Sequence, residues 1–184
     1  MNKQGLESQL LEKILRWRNP RRNRIMIFLT HLGTGGFIWL IIIAVSILGQ
    51  WDVRIGLNMV LAMSLSFLLC NLILKPLVRR ERPSWNRKEY LLIKNPRDFS
   101  FPSGHTSSSF AAATTVFFYQ QKLGIFLLII AILIAFSRIY HYVHYPSDVI
   151  VGIALGIFCA FLAKEFFDRY WLEWIFFSAN FMIK

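Results

Sequence analysis

The sequence predicts an all-α fold: an integral membrane helical bundle of about five spans, preceded by an amphipathic helix at the membrane surface. Three observations carry this. The chain is 55% hydrophobic with a mean hydropathy of +0.47 over 184 residues, too apolar for an ordinary soluble domain of that length. Several apolar runs reach the roughly 20 residues a helix needs to cross a bilayer. The polar residues gather in short blocks between those runs. One domain is expected over 1–184, with a basic amphipathic segment (1–24), a core (25–168) and an aromatic tail (169–184).

The polar start Met1–Gly5 adjoins no apolar core with a cleavage site, so no cleavable signal peptide is expected. Over 6–18, Leu6, Leu10, Ile14 and Trp17 share a stripe flanked by Leu11 and Leu15. Glu7, Glu12, Lys13, Arg16 and Arg18 cover the other side, and Asn19-Pro20 ends the helix. Such a helix lies in the interface or packs on a neighbour. Candidate spans follow at roughly 25–49, 53–74, 104–120, 123–141 and 147–167. The third carries Thr106, Ser107, Ser108, Ser109, Thr114 and Thr115, which predicts a surface turned to protein or water.

The proline-rich stretch 75–102 holds most of the mid-chain charge and reads as a loop with a short surface helix around Trp85–Ile93. Gly152, Gly156 and Ala160 share one face of the last span, suited to close helix packing or to a dimer interface. Trp171, Trp174, Phe176 and Phe177 predict an aromatic interfacial tail, and Tyr140, Tyr142 and Tyr145 an aromatic belt near the substrate's way in. Cys70 and Cys159 lie inside apolar runs without metal-ligand or redox spacing, so they are expected to pack.

The net charge of +11 resides mainly in the first 24 residues and between Lys75 and Arg97. Beside apolar spans this points to membrane lipids and a phosphate substrate as partners, not to nucleic acid. Arg79, Arg80, Arg87 and Lys88 either attract anionic head groups or are solvated loop charges. His31 and His141, near helix ends, read as structural or supporting residues.

Counting crossings puts Lys75, His105, Arg138, His144 and Asp148 on one side of the membrane, so they can form a single site. Cleaving a phosphate ester needs charge stabilisation on the non-bridging oxygens, an in-line nucleophile and a proton for the leaving oxygen. Lys75, Arg82 and Arg138 can surround the oxygens. The turn Pro102-Ser103-Gly104 opens a helix whose free N–H groups favour an anion, with Gly104 allowing close approach. The Ser103 hydroxyl can donate to phosphate or cap that helix. His144 can act as a nucleophile with Asp148 holding its other nitrogen, which leaves His105 to protonate the leaving group.

The blocks Lys75-x6-Arg82-Pro83, Pro102-Ser103-Gly104-His105 and Ser137-Arg138-x5-His144-x3-Asp148 stand in order and at full spacing. Together they resemble the signature of the type 2 phosphatidic acid phosphatase (PAP2) superfamily, which includes lipid phosphate phosphatases and vanadium haloperoxidases. The resemblance covers residues 25–168. It implies a metal-independent phosphatase without cofactor, acting on lipid monophosphates or diphosphates of the phosphatidic acid, phosphatidylglycerol phosphate or undecaprenyl diphosphate class. His144 would form a phosphohistidine, Asp148 orient it, and His105 serve as acid; Lys75, Arg82, Ser103, Gly104 and Arg138 would hold the phosphate. Bacterial members commonly have six spans, and here an amphipathic helix stands in place of the first. The resemblance further implies the cytoplasmic (inner) membrane with the site on its outer face, whereas the positive-inside rule applied to the arginines points the other way. Two rival readings stand beside this one: a non-catalytic protein that binds or moves anionic lipids, and haloperoxidase-like chemistry on vanadate.

Overall fold

The structure, a computed structural model, describes the backbone of residues 3–49 and 52–182 and the side chains of 5–49 and 52–170. Helix α1 spans Lys3–Arg16. Its burial differs from the expected stripe: Leu11 is 1% exposed, while Leu6 and Leu10 are 44% and 47% exposed. The face turned to the protein is the one carrying Glu7, Leu11, Ile14, Leu15 and Arg18. Periodicity finds an apolar stripe, but here polar contacts from Glu7 and Arg18 decide which side docks.

Helix α2 (Pro20–Leu32) begins at Asn19, whose side chain accepts the Arg22 N–H, and with proline in its first turn. The expected uninterrupted span 25–49 is broken. A tight turn over Thr34–Gly36, with Gly35 at φ 61° and Gly36 at φ 72°, separates α2 from α3 (Phe37–Leu48), and the two are bent by 52°. Two successive left-handed residues are accessible to glycine at little cost, and they stop the helix.

Helix α4 (Val53–Phe67) is capped by Asp52 and runs through a π-helical stretch, Leu68–Leu74, into α5 (Lys75–Val78), a continuous rod of 26 residues. The loop that follows has short 3₁₀ turns at Pro83–Trp85 and Lys88–Tyr90 instead of one surface helix. Its prolines and its long-range ties to the bundle leave no room for a regular helix. Then come α6 (Gly104–Tyr119), α7 (Gln121–Tyr140) and α8 (Pro146–Met182). The aromatic tail expected at 169–184 continues α8 in its backbone, and its side chains lie outside the described residues.

Val53–Val78, Gln121–Tyr140 and Pro146–Tyr170 are each long and apolar enough to cross a membrane, and the bent pair α2 and α3 makes a fourth candidate. The chain is a multi-pass membrane protein. The third expected span, α6, has only 16 residues, about 24 Å of helix, short of a hydrocarbon core of about 30 Å. It is enclosed instead by α4, α7 and α8. Ala111, Ala112, Ala113, Ser107, Ser109 and Thr115 are buried, as hydroxyl-rich composition predicts for a helix surrounded by protein. Trp39 of α3 donates from Nε1 to Ser109 Oγ at 3.1 Å, and Asn58 of α4 donates to the Tyr119 hydroxyl at 2.9 Å. Outward side chains such as Ile125, Phe126, Ile129, Phe158 and Phe161 are apolar, as a lipid-facing surface requires.

The small-residue face of α8 meets α6. A Cβ on Gly152 would lie 2.9 Å from the Ser103 carbonyl oxygen, and one on Gly156 2.3 Å from that of Ser107. The face is thus used inside the chain. Tyr140 and Tyr142 are likewise buried rather than forming a belt: Trp17 packs edge-on to Tyr140 at 6.3 Å, the Tyr140 hydroxyl donates to Asn23 of α2 at 2.7 Å, and Tyr90 of the long loop packs on Tyr142 at 5.3 Å.

Replacing Gly156 by valine is expected to force α6 and α8 apart at a cost of roughly 1–3 kcal/mol. The effect would be read as a lower thermal midpoint in detergent; an unchanged midpoint would mean that the contact yields.

Candidate active site

The C-terminal ends of α5 and α7 and the N-terminal ends of α6 and α8 meet at one end of the bundle. Arg138 is in the last turn of α7 and Asp148 in the first turn of α8. The five residues between these helices are pinned by Asp148, whose Oδ2 accepts the Tyr145 N–H at 2.8 Å and the Ser100 hydroxyl. His144 Nδ1 lies 3.5 Å from the same Oδ2, while its Nε2 lies 2.9 Å from Arg82 Nη1. A guanidinium only donates, so Nε2 is the acceptor and the ring proton belongs on Nδ1, toward Asp148. Burial, with Arg82, Arg138 and Lys75 nearby, holds this imidazole well below its ordinary pKa, hence neutral.

Asp148 is 0% exposed and, besides the neutral His144, has a cationic partner. Arg80 Nη1 donates to Asp148 Oδ1 at 2.7 Å and to Ser147 Oγ at 2.6 Å, and its Nη2 donates to Glu7 Oε2 at 2.6 Å. The Ser147 N–H donates to Glu7 Oε1 at 3.1 Å, and the Arg80 guanidinium stacks 4.0 Å over the Tyr145 ring. Arg80 is therefore neither a head-group anchor nor a solvated charge; the buried carboxylate draws it inward. Arg87, by contrast, pairs with Glu12 at 3.5 Å on the exposed side.

Arg82 spends its donors within the protein: on the Asp98 and Phe99 carbonyls, the Asp98 carboxylate, the Val143 carbonyl and His144. Asp98 also accepts from Lys75 Nζ, which in turn donates to Asn71 Oδ1 at 2.7 Å. Burial raises the Asp98 pKa, but Lys75 and Arg82 more than offset this and bring it down to about 2. Asn71 comes from the π-helical stretch, an irregularity often found where a helix must aim side chains at a site.

The Pro102–His105 turn is tied to α8 through the Ser103 N–H, which donates to the Asp148 carbonyl at 3.0 Å. The Ser103 hydroxyl accepts from Thr106 at 2.8 Å and does not cap α6. A Cβ on Gly104 would lie 3.5 Å from Lys75 Nζ and 3.2 Å from Asn71 Oδ1, so glycine keeps this approach open.

Two cavities meet at His105. One, about 360 Å³, runs past Gly104, Lys75, Asp98 and Asn71 to Gly35, Gly36, Met63 and Phe67. The other, about 450 Å³, is lined by Arg138, Thr30, His31, Thr34, Lys94 and Arg97, among others. Thr34 Oγ1 is 3.5 Å from His105 Nε2, and Thr30 Oγ1 accepts from Arg138 Nη1, whose buried Nε has no partner. Of the residues expected from sequence, Lys75, Gly104, His105 and Arg138 line these cavities. His144, Asp148, Arg82 and Ser103 lie beneath them, His144 only 2% exposed. His31 reaches the cavity, whereas His141 is packed away, and burial pushes its pKa down to about 4.

Sequence reading missed Asp98, Ser100, Asn71, Thr30 and Thr34 and misread Arg80 and Glu7. The run Gly33-Thr34-Gly35-Gly36 was a visible signal for a helix break. Glu7, on one helical face with Leu11, signalled a carboxylate turned inward.

The profile of the PAP2 superfamily matches residues 55–172. The chain is 32% identical over 145 residues to an undecaprenyl-diphosphatase of Sulfolobus acidocaldarius, covering 78% of this chain and 69% of the relative. It is 30% identical over 168 residues to phosphatidylglycerophosphatase B of Bacillus subtilis, covering 83% and 78%. Among solved structures, that of Aquifex aeolicus LpxE superposes with a TM-score of 0.76 at 28% identity, covering 87% of this chain and 95% of that one. With its three blocks converging on one end of a helical bundle, the chain belongs to the PAP2 superfamily and is a membrane lipid phosphate phosphatase.

Proposed function

We propose that the chain hydrolyses lipid phosphates through a phosphohistidine on His144, without calling on a metal. The observation that carries this is the opposed environment of the two ring nitrogens, Nδ1 toward Asp148 and Nε2 toward Arg82. In the first step Nε2 attacks phosphorus in line, and the bond from phosphorus to the lipid oxygen breaks. His105, which takes up a proton when the phosphate dianion binds beside it, gives that proton to the leaving oxygen. Asp148 stabilises the positive ring that results. Water then attacks the phosphohistidine with His105 taking its proton, the P–N bond breaks, and phosphate leaves.

For Nε2 to face phosphorus, Arg82 must give up its contact with the ring and turn that donor to a phosphate oxygen. Lys75, Arg138 and the N–H groups opening α6 supply the remaining charge stabilisation. Asp98 compensates Lys75 and Arg82 while no phosphate is bound, since uncompensated buried cations are costly. The cavity past Gly35, Gly36, Met63 and Phe67 supports lateral access of a lipid chain, with Phe67 exposed on the lipid side.

The second cavity favours a diphosphate. Lys94 and Arg97 line it with Arg138 and form no ion pair among the described residues, so they are available for a second phosphate group. We place the site on the outer face of the cytoplasmic membrane, following the superfamily resemblance. Lys75, Arg80 and Arg82 are held by Asp98, Glu7 and Asp148, so they carry no weight in the positive-inside count.

Three outcomes are expected. His144→Ala should lose phosphate release by about a thousandfold or more and fail to form an acid-labile phosphoenzyme, while wild-type activity survives EDTA; turnover by the variant would remove His144 as nucleophile. Because the pKa of His144 is lowered, its neutral form persists to lower pH, so the acid limb of kcat/KM should lie below the roughly 6.5 of an ordinary imidazole. A pH–rate profile checks this. Changing Lys94 and Arg97 together to alanine should lower kcat/KM for a prenyl diphosphate by about tenfold and leave a prenyl monophosphate nearly unaffected. Equal losses on both substrates would mean general attraction of anions.

A further inference from the structure

The family profile matches residues 55–172, which leaves α1 outside it, yet α1 sends a carboxylate into the hydrogen-bonded chain behind His144. Glu7 is 16% exposed at its side chain and uses both oxygens there, one on Arg80 Nη2 at 2.6 Å and one on the Ser147 N–H at 3.1 Å. Arg80 spans the gap to Asp148. The order of contacts is Glu7, Arg80, Asp148, His144, each group meeting the next.

This chain has a physical purpose that a surface ion pair lacks. Asp148 is fully buried and accepts from Arg80, Ser100, the Tyr145 N–H and the ring of His144. A full positive charge on Oδ1, left unbalanced, would draw electron density away from Oδ2 and weaken its support of the ring when His144 becomes positively charged. Glu7 shares that guanidinium and balances it. It also fixes the plane of Arg80, because a fork held at both ends has a single orientation. The Ser147 N–H belongs to the orphan donors of the first turn of α8, so Glu7 satisfies one of them and steadies the turn that carries Asp148.

We infer that Glu7 is a positioning residue for this reaction, acting through Arg80 to hold the Asp148 carboxylate and thereby the imidazole of His144. The inference rests on the reading of His144 as nucleophile. It makes the N-terminal helix part of the catalytic apparatus rather than a surface appendage, with Leu11 and Arg18 as its other fastenings: Leu11 is buried, and Arg18 donates to the Tyr90 carbonyl at 2.6 Å.

The test is a kinetic cycle in detergent micelles with a lipid phosphate substrate. Glu7→Gln should lower kcat by about tenfold, by analogy with other residues that orient a reacting group from behind, with KM within about twofold. Phosphoenzyme formation in a single turnover should slow by the same factor. Glu7→Asp, which keeps the carboxylate, should recover a substantial part of the rate. In an Arg80→Gln background, Glu7→Gln should cost nothing further, because its effect passes through Arg80. Glu12→Gln removes a charge from the same helix, at the exposed pair with Arg87, and should behave as wild type.

The inference is overturned if Glu7→Gln leaves kcat unchanged, if its loss matches that of Glu12→Gln, or if the losses at Glu7 and Arg80 multiply. Thermal midpoints measured on each variant separate loss of folded protein from loss of rate. Failure of the underlying reading would look different: His144→Ala would stay active, or the wild type would release no phosphate.

Discussion

A carboxylate with no access to solvent governs the architecture of this end of the molecule. Asp148 can be buried only because cationic and polar donors from distant parts of the chain converge on it. Arg80 and Ser100 come from the long loop and Tyr145 from the link before α8, while the Asp148 main-chain carbonyl takes the Ser103 N–H at the start of α6. Satisfying one acid thus fastens α8 to the loop, to α6 and, through Arg80, to α1. Each of those segments then carries a group needed elsewhere in the site. Removing the acid would leave Arg80 with Glu7 and Ser147 but would free Ser100 and the Tyr145 N–H, loosening the loop from α8.

The same economy explains α6. It is too short to cross a bilayer alone and too polar to face lipid, so it depends on neighbours on every side. Gly152 and Gly156 let α8 approach its backbone, and the alanines at 111–113 do the same for the other helices. Close approach fixes where α6 begins, and its first turn is where Gly104 and His105 must sit. The break between α2 and α3 completes the enclosure, bringing Thr30 to Arg138 and Thr34 to His105. Packing in the middle of the bundle therefore determines distances at its end.

The innermost cations are held in pairs, while Lys94, Arg97 and Arg138 line the outer cavity. Lys75 and Arg82 share Asp98, Arg80 is shared by Glu7 and Asp148, and Arg138, at the wall of the cavity, keeps a buried Nε without a partner. This keeps several cations in a region of low dielectric at tolerable cost before substrate arrives. It also means that an incoming phosphate would compete with protein carboxylates for its donors.

The candidate groups were legible in the chain because phosphoryl transfer calls for their types, imidazoles at His105 and His144, an acid at Asp148 and fixed cations at Lys75, Arg82 and Arg138, and the fold gathers them at one end of the bundle. The multi-pass helical character and the common end of these residues followed from hydropathy and from counting crossings, whereas of the five expected spans α6 is too short to cross and α2–α3 is bent. Local signals also marked the helix boundary at Asn19-Pro20 and the packing face of Gly152 and Gly156. The supporting residues were not legible, because their roles depend on contacts between positions far apart in sequence. Glu7 meets Arg80 across more than seventy residues, and Thr30 meets Arg138 across more than a hundred. Nothing in the neighbourhood of Arg80 separates an arginine that braces a buried acid from one that sits in water. Likewise, the stripe Leu6, Leu10 and Trp17 says that α1 is amphipathic, but not which side docks. What the sequence determined is the set of groups and the membrane that holds them, since residue type and apolar run length are local properties. What the tertiary structure decided is which charges are buried together, because that is a matter of desolvation, and desolvation is set by neighbours from other parts of the chain.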